Sequence, residues 1–219
     1  MKNIIIDMTQ MNTNSRKYSW TLKEAEKIFF TSDTHFGHEN ILKYCKRPFN
    51  NIQEHDEELI KRWNDKVPKD GIVFHLGDVA FDANKRISEI LKQLHGKIYL
   101  IIGNHDWRRI TEQHAWRFDD MTQQMSIKIG EQQIILNHYP MLCFAGAWKG
   151  LQATWQLFGH VHSGPYSDIG LDHQRLVNLF TTQYDVGVDN NDFTPVSFKE
   201  VAQIIENQQM SLGMCRNEK

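Results

Sequence analysis

The stretch YLIIGNHDW, residues 99–107, decides how the chain is read. It begins in the apolar, strand-like run Ile98–Ile102. The run stops at Gly103 and continues as Asn104, His105 and Asp106: an amide, an imidazole and a carboxylate. In open α/β sheets, ligands collect at the carboxyl ends of strands, so such an ending marks a candidate site.

Four other stretches end the same way. IFFTSDTH (28–35) ends in Asp33-Thr34-His35, and IVFHLGDV (72–79) carries Gly77-Asp78. IILNHYP (134–140) leads into Asn137-His138, and WQLFGHVH (155–162) into His160-Val161-His162. Any one of these has a plain explanation as a hydrogen-bonded structural residue. Five apolar runs with the same ending imply one shared site.

The spacing agrees. Asp33 and His35 are two residues apart, as are His160 and His162. In extended chain such pairs face the same way. Glycine directly precedes Asp78, Asn104 and His160, where it allows a sharp turn and a close backbone approach. Imidazole, carboxylate and amide donors together suit Mn, Fe, Zn or Ni better than Mg or Ca.

The remainder of the chain bounds the answer. At 219 residues a single domain is expected, with residues 1–27 as a polar N-terminal extension of unassigned role and a short strand at 3–6. The 25 basic and 27 acidic residues nearly cancel, so no long-range field for gathering nucleic acid is expected and no extended nucleic-acid groove is evident. The three cysteines, Cys45, Cys143 and Cys215, have no CxxC spacing, which suggests reduced thiols in a cytoplasmic protein. The initial apolar run is too short for a signal peptide, and nothing downstream reads as a membrane span.

Apolar runs predict strands over 28–31, 72–76, 97–102, 125–129, 133–136 and 155–158, with a broken one over 176–188. Helices are predicted over 38–45, 52–66, 84–94, 107–116 and 197–207, the last opened by a Ser197/Glu200 capping box. This alternation predicts an α/β domain.

In this order DTH, GD, GNHD, NHYP and GHVH resemble the calcineurin-like metallophosphoesterase family, over Phe29 to about Val188. SDTHFGHENI followed by RPF is similar to a branch of small bacterial and phage phosphoesterases. The resemblance implies a four-layer α/β/β/α sandwich of two mixed sheets. It implies a dinuclear metal-dependent hydrolase in which a metal-bridging hydroxide attacks a phosphoester in line, and no serine or cysteine nucleophile. By the same resemblance Asp33, His35 and His162 hold one metal, and Asn104, His138 and His160 the second, with Asp78 bridging. His105 would protonate the leaving oxygen, with Asp106 orienting it; a helix N-cap is the other reading of Asp106.

The substrate side is less defined. His38 and Asn40 are candidates for phosphate contact, or simply a helix start. Arg47, Arg108 and Arg109 are further candidates, each also explained as a surface arginine. Trp107 and Trp148 are candidates for stacking on a ring, with core packing the commoner role. His55, His75, His95, His114 and His173 match no motif and are expected to be structural or at the surface. The branch often has asparagine where this chain has Asp185. The expected substrate is a small phosphorylated molecule, a phosphodiester or nucleotide ahead of a phosphomonoester or nucleic-acid end. A non-catalytic binding scaffold on the same fold is the alternative class.

Overall fold

The computed structural model describes residues 18–81, 85–149, 153–165 and 176–217. The first sheet contains β2 (Ile28–Thr31), β3 (Ile72–His75), β4 (Lys97–Ile101), β5 (Phe118–Thr122) and β10 (Val196–Ser197), in the order β10-β2-β3-β4-β5. The four from β2 to β5 run parallel, and β10 pairs antiparallel with β2. The second sheet contains β1 (Tyr18–Trp20), β6 (Gln124–Ile129), β7 (Gln132–Asn137), β8 (Trp155–Phe158) and β9 (Gln183–Asp185), in the order β1-β6-β7-β8-β9. Strands β7, β8 and β9 are parallel, whereas β6 is antiparallel to β7. The fold is therefore α/β with two mixed sheets.

Alternation along the strands builds two apolar layers. Ile28, Phe30, Phe74 and Ile101 pack against Ile127, Ile134, Leu136 and Leu157 between the sheets. Phe29, Val73, Ile98 and Leu100 point the other way, against Leu59 and Trp63 of α2 (Ile52–Lys66) and Ile87 and Leu91 of α3 (Lys85–Gln93). Strands covered on both faces read as unbroken apolar runs, which is why these segments were legible. A smaller cluster of Ile135, Phe144 and Ala147 lies apart from both layers.

Helix α2 starts where Asn51 Oδ1 accepts from the Glu54 N–H, and ends at Lys66, where Val67 turns extended before Pro68. A further helix, α4 (Phe198–Asn217), opens on the expected capping box: Glu200 accepts from the Ser197 N–H and Ser197 Oγ from the Glu200 N–H. Helix α1 is only Ile41–Tyr44, shorter than the predicted 38–45. No helix of the described residues is long and apolar enough to cross a membrane.

Several expectations change. Residues 107–114 form turns, not a helix, followed by the 3-10 turn Ala115–Arg117. Arg108 is left-handed at φ 62°, and the Thr111 N–H reaches back five residues to the Asp106 carbonyl. Either feature breaks an α-helical ladder. The stretch 176–188 contributes only the three residues of β9. Part of the N-terminal extension belongs to the sheet, as β1 pairs parallel with β6. The strand predicted at 3–6 lies outside the described residues.

Candidate metal centre

Parallel pairing sets the carboxyl ends of β2, β3 and β4 on one edge of the first sheet, and those of β7, β8 and β9 on one edge of the second. A parallel bridge between Ser32 and Gly187 ties the two edges together. The five sequence blocks therefore meet at one place. Backbone bonds stitch them: the Asp33 N–H donates to Gly77, the His35 N–H to Asp78, and the Gly159 N–H to His138.

Two clusters form there. Asp33, His35 and His162 bring one donor atom each to within 4.8 Å of one another, and so do Asp78, His138 and His160. Asn104 Oδ1 lies 3.0 Å from His138 Nε2, which adds it to the second cluster. Asp78 Oδ2 lies 3.6 Å from Nε2 of His35 and 3.6 Å from Nε2 of His138, so one carboxylate faces both clusters.

The convergence of Asp33 with His35, and of His160 with His162, does not come from strand alternation. All four residues, and Asp78, have positive φ, between 48° and 72°. Left-handed backbone is uncommon for side-chain-bearing residues and costs about 1–3 kcal/mol each. Five such residues in one site mark loops turned sharply enough to aim side chains inward. Two glycines make room for them. A Cβ on Gly103 would lie 2.3 Å from Asp78 Oδ1, and one on Gly159 would lie 2.3 Å from Asp33 Oδ2.

The donor set fits cations. Asp33 Oδ1 and His35 Nε2 are buried without a hydrogen-bond partner among the described residues. Such orphaned atoms are costly unless something occupies the space between them. Burial first, then the charge of His162, holds His35 well below the usual imidazole range, so its ring is neutral and able to ligate. His138 Nδ1 donates to the Leu76 carbonyl at 2.7 Å, which turns Nε2 toward Asp78. His162 Nδ1 donates to Asp189 at 2.8 Å, and its Nε2 faces Asp33 Oδ1 at 3.8 Å. Burial would lower the His162 pKa, but Asp33 and Asp189 outweigh it and push it up to about 11. The two carboxylates thus favour positive charge at this point, a proton or a metal ion. Burial raises Asp78, against the pull of His138.

The neighbouring residues are placed as follows. His105 Nε2 lies 4.0 Å from Asp78 Oδ2, with its side chain 37% exposed. Its backbone N–H donates to Asp78 Oδ1 at 2.9 Å. Asp106 does not serve the His105 ring. Its carboxylate accepts from the N–H groups of Gly103, Asp78 and Val79 at 2.8–2.9 Å, fastening the two loops together. Nor does it cap a helix at 107–116, since none forms there.

Arg47 is not a surface or substrate arginine. Its fully buried guanidinium donates to both oxygens of Asp189 at 2.7–2.8 Å and to the carbonyls of Asp33 and Thr34. It also lies 2.8 Å from His55 Nε2, and the His55 ring is held by Asp56. His38 is close to the centre, stacked on Phe81 at 4.0 Å, with Nδ1 3.2 Å from His35 Nδ1. Burial, reinforced by the charge of His105, lowers its pKa to about 4. Arg109 covers the Phe81 ring at 4.6 Å and donates to the Phe81 carbonyl. Asn40 and Arg108 are exposed, and no hydrogen bond brings either to the clusters among the described residues. Trp107 and Trp148 are 56% and 76% exposed, so neither packs in the core. His55, His75 and His114 are buried, and His173 lies outside the described residues.

Sequence reading missed Asp189, Phe81 and the role of Asp185. Asp185 Oδ1 accepts from the Gly187 N–H and Oδ2 from the Ser163 N–H, bracing the loop that carries His160 and His162. A hint was present in the DVGVD run, where Asp185 stood out but Asp189 did not.

The family described as the calcineurin-like phosphoesterase superfamily domain matches residues 27–179. The uncharacterized protein MJ1445 of Methanocaldococcus jannaschii is 33% identical over 186 residues, covering 82% of this chain and 92% of its own. The Gene 66 protein of Mycobacterium phage L5 is 28% identical over 130 residues, covering 51% of this chain and 62% of its own. Among solved structures, the Aquifex aeolicus protein of unknown function AQ665 shares the fold with a TM-score of 0.62 at 23% identity, covering 81% of this chain and 98% of its own.

Proposed function

Because the chain belongs to the calcineurin-like phosphoesterase superfamily, we propose that it hydrolyses a small phosphodiester with the help of two divalent or trivalent transition-metal ions. Phosphoester hydrolysis is the general activity of that family. The observation that carries the finer reading is Asp78, whose Oδ2 stands at 3.6 Å from an imidazole of each cluster. Asp33, His35 and His162 would hold one ion, Asn104, His138 and His160 the other, and Asp78 both.

Two such ions, when bound, supply a water of lowered pKa and neutralise charge developing on the phosphoryl oxygens. The chain's own groups do the remainder. His105, partly exposed beside Asp78, gives the proton of its ring N–H to the leaving oxygen. Asp189 and the Leu76 carbonyl keep His162 and His138 in the tautomers that present Nε2. Asp106 fixes the loop geometry on which Asp78 and His105 depend.

The test is hydrolysis by metal-stripped protein refilled with Mn. One reaction contains p-nitrophenyl phosphate and the other bis-p-nitrophenyl phosphate. Turnover of the diester with little of the monoester is expected. Preference for the monoester would make the protein a phosphatase. No turnover of either by metal-loaded protein would remove the catalytic reading.

A further inference from the structure

A cavity of about 610 Å³ opens beside the candidate metal centre, a size common for small-ligand sites. Tyr139, Pro140, Leu142, Val161, Leu176 and Leu179 form most of its wall, with Asn178 as a polar member. His160 lines it too, and His160 belongs to the second cluster. The cavity therefore adjoins the second cluster through His160. Tyr139 stands at the boundary, its ring edge-on to His138 at 4.9 Å and to His160 at 4.6 Å.

The chemistry of the wall selects its occupant. No Lys, Arg, Asp or Glu lines the cavity among the described residues. A second phosphate would lose water there and gain no charged partner. A flat aromatic group would exchange water for leucine side chains and a tyrosine ring. Leu142 is 81% exposed and Leu179 half-buried, so an apolar group entering the cavity would remove water from both.

We infer that this cavity seats an uncharged, planar aromatic substituent of the phosphoester, of nucleobase size, attached through oxygen to the phosphorus held at the metal centre. The inference rests on the phosphoesterase reading of that centre and names the substrate class it takes.

Binding of methylphosphonate and phenylphosphonate to the Mn-loaded protein, measured by isothermal titration calorimetry, tests it. Both carry the same anion and neither is hydrolysed. Phenylphosphonate should bind at least about tenfold more tightly, the return for burying one ring. Leu142→Asp and Leu179→Asp should each cut that ratio to about threefold or less and leave methylphosphonate affinity unchanged. Leu142 is exposed enough that its variant folds. Equal affinities in the unmodified protein, or a ratio that survives both variants, overturns the inference. Ester hydrolysis is measured separately on the same preparation. Hydrolysis without the phenyl preference ends the cavity inference alone. A phenyl preference without hydrolysis leaves the cavity assigned and ends the catalytic reading.

Discussion

Asp189 sits between His162 and Arg47, accepting from Nδ1 of the first at 2.8 Å and from Nε and Nη2 of the second at 2.7–2.8 Å. Burial alone would raise its pKa, but those two cations hold it well below the usual carboxylate range. It therefore stays ionised through any ordinary pH and keeps His162 in one tautomer. Asp189→Asn should weaken metal binding by about 10–100-fold. Asp189→Ala should also destabilise the fold by about 3–5 kcal/mol, because Arg47 is left buried without its counter-ion. Chelator competition and thermal melts read the two effects. Unchanged metal affinity in Asp189→Asn would show that His162 needs no such partner.

Asp78 and His105 are near neighbours with different expected roles. Asp78→Asn should reduce metal content at both clusters, since its Oδ2 faces both. His105→Ala should keep its metal and lose about 100-fold or more in turnover. Metal analysis beside kcat separates them, and equal metal loss in the two variants would refute the assignment.

Asp106 holds three buried backbone N–H groups, so its removal acts on structure first. Asp106→Ala should lower the melting temperature by about 10 °C or more, with each of the three stranded donors costing about 1–3 kcal/mol. Asp106→Asn, which keeps one acceptor, should lose less. The pH profile of turnover in Asp106→Asn should overlay that of the unmodified protein. A displaced limb would mean that Asp106 sets the charge of His105 after all.

Burial raises the Asp185 carboxyl to about 7, with Asp33 adding to the rise. A carboxyl raised in the fold contributes stability below its unfolded pKa of about 3.9, and that contribution is lost as pH climbs through about 7. Asparagine has no proton to lose. In metal-free protein the melting temperature of Asp185→Asn relative to the unmodified chain should therefore rise between pH 5 and pH 8. A gain of about 3 °C corresponds to roughly 1 kcal/mol in a chain of this size. A difference flat in pH would mean that Asp185 is ionised throughout.

Much of the site was readable because its residues follow buried strands. IFFTSDTH, IVFHLGDV and WQLFGHVH announce both the strand and what lies beyond it. Residues whose partners are distant in sequence were not readable. Arg47 and Asp189 meet across 142 positions, and nothing near KRPF signals that the arginine points inward. Asp106 is followed by a stretch with helical composition, and the left-handed Arg108 and the Thr111 bond back to Asp106 show why no helix forms. Strand β5 reads FDDMT, too polar for an apolar-run criterion, and is held by pairing with β4. The cavity was invisible for a related reason. Its wall joins Tyr139 and Leu142 to Leu176 and Leu179, two loops that no periodicity connects.

The left-handed backbone at Asp33, His35, Asp78, His160 and His162 also limits how this protein could be re-engineered. Apart from glycine, that conformation is best tolerated by asparagine, aspartate and histidine. Those three offer only oxygen and imidazole nitrogen. The loops thus restrict the ligand alphabet before any metal is present, and a variant library confined to side chains would return borderline and hard-metal sites. Converting the centre to a thiolate-rich one would require new loops as well as new side chains.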